Sequence, residues 1–336
     1  MNPQPEFPAA DFSTTLRTLS PTTHWCPQIH VPCPASQLAQ ILQQLRTHLP
    51  HHNPEVACDD LTTAEKLPLN HAADCRLLLL CPIVRPLDIP RLATLAAAHC
   101  CSVVVGHFRH VELVAAAART ACQRIPVLVE LSMGRQLSGV TPGPDASNLA
   151  SAVHRLPELQ LRGLFLRHPC HGVHEPEVQR RSLQSGLSMC RHTLQMLLQQ
   201  QPATENDGTD HDSRIVLGNL PLSLLSDFHG AAVCNPWPAD NNMHRPHELS
   251  SVSPSAIPAL VIARPTLDLC VAASFTAAAA TVDRQWHVAR PAGAVISDHV
   301  GGYFTLQLDG PALDLKIGDE IDLVPRSQSA VPVRSR

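Results

Sequence analysis

Lysine is almost absent: Lys66 and Lys316 are the only two in 336 residues, so any reaction that needs an amine nucleophile has two candidates. Tyr303 is the single tyrosine, aromatic residues make up 3 % of the chain and charged residues 16 %. The core must therefore be built from Leu, Val, Ile and Ala, and arginine carries nearly all the positive charge. A net charge of −4, with acids and bases interspersed, excludes a nucleic-acid groove and a polybasic membrane anchor. Apolar runs such as Leu77 to Val84 are too short to span a bilayer. Met1 to Ser20 carries acids and prolines where an export signal needs an apolar stretch, so a cytoplasmic location is expected. The twelve cysteines include no CxxC pair. Most of them, Cys75, Cys81, Cys100, Cys101 and Cys122 included, sit in apolar segments and read as small buried hydrophobes kept reduced.

What is present is an alternation. From Glu55 to Cys234, short β-type runs alternate with helical stretches of about 10 to 20 residues, the pattern of parallel βα units. The expected strands are Glu55–Cys58, Arg76–Cys81, Cys101–Val105, Pro126–Leu131, Leu161–Arg167, Arg214–Leu217 and Ala231–Cys234. Most read as continuous apolar runs, as strands buried on both faces do. Seven strands are one short of a closed (β/α) barrel. Residues 202–213 read as a polar loop, and Asn235 to Pro258 marks a change of architecture. Beyond it the pattern is all-β: Ala259–Ala263, Leu269–Ser274, Val282–Val288, Tyr303–Leu308 and Glu320–Val324. A β-type run at Gln28 to Val31 precedes a helix from Ala35 to Leu49.

Three segments carry a resemblance. PVLVELSMGRQLSGV (Pro126 to Val140) is similar to a strand-plus-loop motif written vlvEiDxGxxRxGv. LPELQLRGLFLRHPCHGVH resembles spgLxlxGlxxYhGhxxh, and SDHVGGYFTLQLDGPALDLKIGDEIDLVP resembles sdEHgxlxl…lxvGdxvxlxPsHxC. Together they resemble the D-threonine aldolase and D-serine dehydratase branch of the alanine racemase-like, fold-type III pyridoxal-phosphate proteins, across most of residues 25–330. The resemblance implies an α/β fold: a TIM-type (β/α) barrel, incomplete by one βα unit, over 35–240. It also implies a D-serine dehydratase-like β domain over 250–336, to which an N-terminal arm (1–34) contributes a strand.

By the same resemblance, members of that family hold pyridoxal phosphate as an imine on a lysine of the first barrel strand, in a segment like RPHxKTHK. Here the chain runs from the first helix through His51-His52-Asn53 straight to Glu55–Cys58, so that segment reads as deleted, and Lys66 falls on the next helix. The motif's aspartate and arginine become Ser132 and Leu137, with Arg135 out of register. Its tyrosine becomes Arg167. The sGGT phosphate loop aligns with Leu217-Gly218-Asn219-Leu220-Pro221, which leaves Gly218 and Asn219 as candidate cofactor contacts and gives Pro221 no N–H to donate. The zinc-binding His and Cys fall on Ser327 and Ser329, neither a useful ligand, so zinc is not expected. The leading expectation is a catalytically inactive relative retained as a binding or assembly protein, pyridoxal phosphate being implied by the family alone. One alternative is an active lyase (aldolase or dehydratase) on D-3-hydroxy amino acids that uses Lys66. Another is metal-dependent chemistry at His168, Cys170, His171 and His174, which lie at a strand C-terminus where barrel sites form; His168 and His171 are also catalytic candidates. Candidate partners are a small amino-acid-like ligand and, in a homodimer, a second copy; nucleic acid and membrane are not expected. His48, His51 and His52, and likewise His107 and His110, read as turn residues. Ser132 lacks the G-x-S-x-G setting of a nucleophile, and His299 reads as a packing residue.

Overall fold

The computed structural model describes residues 24–29, 35–48, 54–68, 75–133, 138–167, 175–200, 214–218, 231–234, 256–274, 286–300 and 302–325. The chain falls into two units, Met1–Asn241 and Asn242–Arg336. In the first, eight parallel strands close into a barrel: β1 (His24–Ile29), β2 (Glu55–Cys58), β3 (Arg76–Leu79), β4 (Cys101–Val105), β5 (Ile125–Leu131), β6 (Leu159–Arg167), β7 (Arg214–Gly218) and β8 (Ala231–Cys234). The barrel is therefore complete, which corrects the count of seven strands. The eighth is β1, which pairs with β8 (Cys26 opposite Val233) and with β2 (Gln28 opposite Ala57). Among the described residues of the N-terminal arm, His24–Ile29 form a barrel strand, where the sequence reading placed a strand of the β domain. Pro27 cannot donate to a ladder, and His24 and Gln28 break the apolar run, so the segment does not read as the interior of a sheet.

Among the described residues six helices alternate with these strands: α1 (Ala35–His48), α2 (Leu61–Lys66), α3 (Ile89–Ala98), α4 (Phe108–Ala121), α5 (Pro144–His154) and α6 (Pro176–Gln200). Successive residues of a strand face opposite sides of the sheet, and here they feed two separate cores. Val56, Cys58, Leu77, Leu79, Val103, Val105, Val127, Val129, Leu164 and Leu166 pack outward against the helices. Their neighbours Ala57, Leu78, Leu80, Val104, Leu128, Phe165 and Val216, with Cys26, fill the lumen. Among the described residues the lumen is thus a packed core, as expected of an eight-stranded barrel. Two of the helices start on a side-chain cap. In α2, the Asp60 carboxylate accepts from the Thr63 N–H at 2.9 Å, which satisfies one of the donors orphaned at a helix start. In α4, the His107 imidazole accepts from the Arg109 N–H at 3.0 Å.

The second unit is a six-stranded antiparallel sheet in the order β11-β14-β9-β10-β13-β12, formed by β9 (Ile257–Thr266), β10 (Leu269–Ala273), β11 (Trp286–Arg290), β12 (Ala294–Val300), β13 (Tyr303–Leu308) and β14 (Glu320–Pro325). Its core gathers Val261, Cys270, Trp286, Phe304, Leu306 and Ile321. The His299 ring stacks on Phe304 at 4.3 Å between centroids, so His299 packs within this unit. The reading of the cysteines needs one correction. Cys26, Cys58, Cys75, Cys101, Cys190 and Cys270 are buried, but Cys100 and Cys122 are exposed, because both lie just past a helix end, Cys122 in the left-handed conformation that closes α4. Among the described residues no helix is long and apolar enough to cross a membrane.

Candidate functional site

Barrel sites form at the C-terminal ends of the strands, and at that end the described residues make one connected polar network. Glu130 on β5 and Arg167 on β6 are both inward-facing and buried, 0 % and 3 % exposed. The Arg167 Nε donates to Glu130 Oε1 at 3.0 Å and its Nη2 donates to the Leu80 carbonyl at 3.2 Å. The other carboxylate oxygen accepts from the Ser138 hydroxyl at 2.6 Å. Ser138 is brought back by the loop after β5: the Val140 N–H donates to the Glu130 carbonyl at 2.9 Å, and the Ser132 N–H to the Val140 carbonyl at 2.8 Å. That return needs two glycines. A Cβ on Gly106, just after β4, would stand 2.2 Å from the Ser138 carbonyl oxygen, and one on Gly139 would stand 2.6 Å from that of Glu130. The Arg167 guanidinium lies 5.3 Å from the Phe165 ring centroid, within cation–π range.

Several titratable groups flank this network. The His110 ring, fully buried, accepts from the Gly106 N–H at 3.1 Å. Burial holds the half-buried His107 below its ordinary range, partly opposed by Glu112. At the end of β3, burial pushes the Cys81 thiol up, with Asp60 adding to the shift and Arg167 opposing it, so Cys81 is no thiolate nucleophile. The N-terminal end of the lumen has a second charge pair. Arg162 donates to Glu55 at 2.9 Å and also to the Ser102 hydroxyl.

The residues singled out in the sequence divide three ways. Lys66 is exposed in the last turn of α2. That helix begins three residues after the C-terminal end of β2 and extends about 9 Å over its six residues. Lys316 is exposed in the second unit, where its N–H donates to Asp319. Gly218 is at the mouth, at the end of β7, but the space a Cβ would take is filled: it would stand 2.2 Å from Phe165 Cζ. His168, Cys170, His171, His174 and Asn219 lie outside the described residues, as do His51, His52, Arg135, Leu137, Pro221, Ser327 and Ser329. Among the described residues no group of three or more His, Cys, Asp or Glu could hold a metal ion. Sequence reasoning missed the Glu130–Arg167–Ser138 network. The signal was there, since Glu130 ends an otherwise apolar strand and Arg167 ends another, and charges so placed are buried only when paired.

Pyridoxal phosphate needs an amine at the mouth to form its imine and backbone donors for its phosphate. Neither lysine of the chain belongs to a barrel strand, and Gly218 serves the Phe165 ring, so the described residues do not fit that group.

Residues 39–204 match the family model described as the alanine racemase N-terminal domain. No curated protein matches the sequence. Solved structures with the same fold include D-threonine aldolase from Filomicrobium marinum, with 19 % identity, a TM-score of 0.58, and 97 % of this chain and 86 % of that one covered. A metal-free mutant of D-threo-3-hydroxyaspartate dehydratase is similar at 14 % identity and a TM-score of 0.53, covering 94 % and 87 %. PipY from Synechococcus elongatus, with pyridoxal phosphate bound, is similar at 13 % identity and a TM-score of 0.50, covering 68 % and 96 %. Over residues 39–204 the chain is thus similar to the alanine racemase N-terminal domain, and it shares the fold of these solved structures.

Proposed function

We propose that this protein is a catalytically inactive relative of the fold-type III pyridoxal-phosphate enzymes, retained in the cytoplasm as a binding or assembly protein. One observation carries the reading. The whole chain has two lysines: Lys66 is exposed at the far end of an outer helix, and Lys316 belongs to the second unit. Imine chemistry requires an amine held beside the cofactor's aldehyde and shielded enough to be neutral. An exposed lysine on α2 meets neither condition. The same placement weighs against an active lyase that uses Lys66.

The test is direct. The purified chain is incubated with pyridoxal 5′-phosphate, reduced with borohydride, and analysed by peptide mass spectrometry. The expected result is scattered, substoichiometric labelling and no imine band near ~420 nm. A stoichiometric pyridoxyl adduct on Lys66 or Lys316, or turnover of a D-3-hydroxy amino acid, would refute it. Metal analysis of the same preparation addresses the His168–His174 alternative: stoichiometric metal that is lost on His168→Ala with His171→Ala would replace the proposal with a metal-dependent one.

A further inference from the structure

We infer that Arg167 is a built-in occupant of the barrel mouth, an internal cation that closes the β3–β5–β6 side against small charged ligands. Strand order makes the case. In the closed ring β3 and β6 are not neighbours, because β4 and β5 stand between them. A hydrogen bond from Arg167 on β6 to the Leu80 carbonyl at the end of β3 must therefore pass across the lumen. The guanidinium is anchored halfway by Glu130 on β5. Both oxygens of that carboxylate are engaged, one by Arg167 and one by Ser138. Below the guanidinium lies Phe165, whose ring occupies the space that Gly218 leaves free.

A buried charge pair is stable only when its remaining hydrogen-bonding groups are satisfied. Here its partners come from within the barrel, so a phosphate or carboxylate entering from outside would have to strip Arg167 of bonds it already has. This deepens the proposal above and rests on it. That proposal removes the covalent bond to a cofactor; this one also removes the seat. It assigns the retained role to assembly and not to small-ligand binding at the mouth.

The experiment uses the full chain with pyridoxal 5′-phosphate as the probe, and reads equilibrium dialysis and thermal midpoint together. The variants are Glu130→Gln, Arg167→Met, their double, and Arg167→Ala. The wild type is expected to show no saturable binding. Each single substitution at the pair is expected to lower the midpoint, and the double to recover most of that loss, because no charge is then left alone. Should Arg167→Ala not fold, the Glu130→Gln with Arg167→Met protein still reports the coupling. Losses that simply add in the double would overturn the inference. So would saturable binding to the wild type that weakens about tenfold or more in Arg167→Ala, since Arg167 would then be a ligand contact. A lysine adduct after reduction refutes the proposed function; Arg167-dependent binding without an adduct refutes only the plug.

Discussion

Replacing Gly218 with alanine separates a packing glycine from a phosphate-cradling one. The added Cβ would stand 2.2 Å from Phe165 Cζ, 2.9 Å from Cε2 and 3.0 Å from Cε1. The ring cannot swing clear, because Phe165 is 0 % exposed and packed among Leu78, Leu128 and Val216. Gly218 is not among the glycines at positive φ, so backbone strain adds nothing, and the smaller unfolded-state entropy of alanine works the other way by about 0.4–1 kcal/mol. Overpacking of a full core costs about 1–3 kcal/mol, which leaves a net loss. Phe165→Leu removes the ring and leaves a void, at a cost of about 1–3 kcal/mol. In the double variant the new methyl enters that void, so Gly218→Ala with Phe165→Leu should be no less stable than Phe165→Leu alone. The assay is urea unfolding of the full chain followed by far-UV circular dichroism, with calorimetry to keep the transitions of the two units apart. An unmoved midpoint for Gly218→Ala, or losses that add in the double, would refute the steric argument. A stable Gly218→Ala protein that had lost binding of inorganic phosphate would show a cradle after all.

At the opposite end of the lumen, Arg162→Met leaves Glu55, 2 % exposed, without its cation, and should cost about 3–5 kcal/mol in urea midpoint analysis; Glu55→Gln added to it should return part of that loss. Burial pushes the Cys75 and Cys190 thiols up to about 12 and Cys270 up to about 11, so thiolate is scarce there at pH 8. A chromogenic disulfide reagent should label the exposed Cys100 and Cys122 long before these three, and equal rates in the folded protein would contradict the burial. His107 is held by burial below its ordinary 6.5, so the unfolded chain takes up the proton first. Its contribution to stability is intact above pH 6.5 and is lost as the pH falls from there toward the lower folded value. His107→Asn keeps a side-chain acceptor at the start of α4 and should flatten the acid side of a Tm-against-pH curve; an unchanged slope would remove His107 as the cause.

Much of the barrel was legible because its strands are buried on both faces and so read as unbroken apolar runs: RLLL, CSVVV, IPVLVEL. The same criterion displaced β1, which the sequence reading began at Gln28 and gave to the β domain. His24, Pro27 and Gln28 interrupt its run, and what places HWCPQI in the ring is pairing with β8, more than 200 positions later in the chain. β12 was hidden for a related reason. It is an edge strand, with Val295 60 % exposed, so its Ser297-Asp298-His299 stretch carries the polar signature of a turn. Sequence runs report local burial, and ring closure and edges are not local properties.

The lumen's charges show the same limit at the level of single residues. Arg162 and Glu55 are 107 positions apart and Arg167 and Glu130 are 37 apart, so no window contains either pair. Alternation is no better guide. Counting back from Phe165 and Arg167, which face the lumen, puts Arg162 with Leu164 and Leu166 on the side covered by helices. The register between β5 and β6 slips at this point: Val127 faces Leu161, but the next residue, Leu128, faces Gly163. Arg162 is therefore the extra residue of a β-bulge, and a bulge re-aims a side chain. Gly163, at φ 138, supplies a conformation that residues with a Cβ rarely adopt. The bulge lets one strand hold an arginine at each end of the lumen, with Phe165 between them. Placing an arginine at both ends of the lumen from β6 thus depends on a backbone irregularity at a glycine that apolar patterning cannot register.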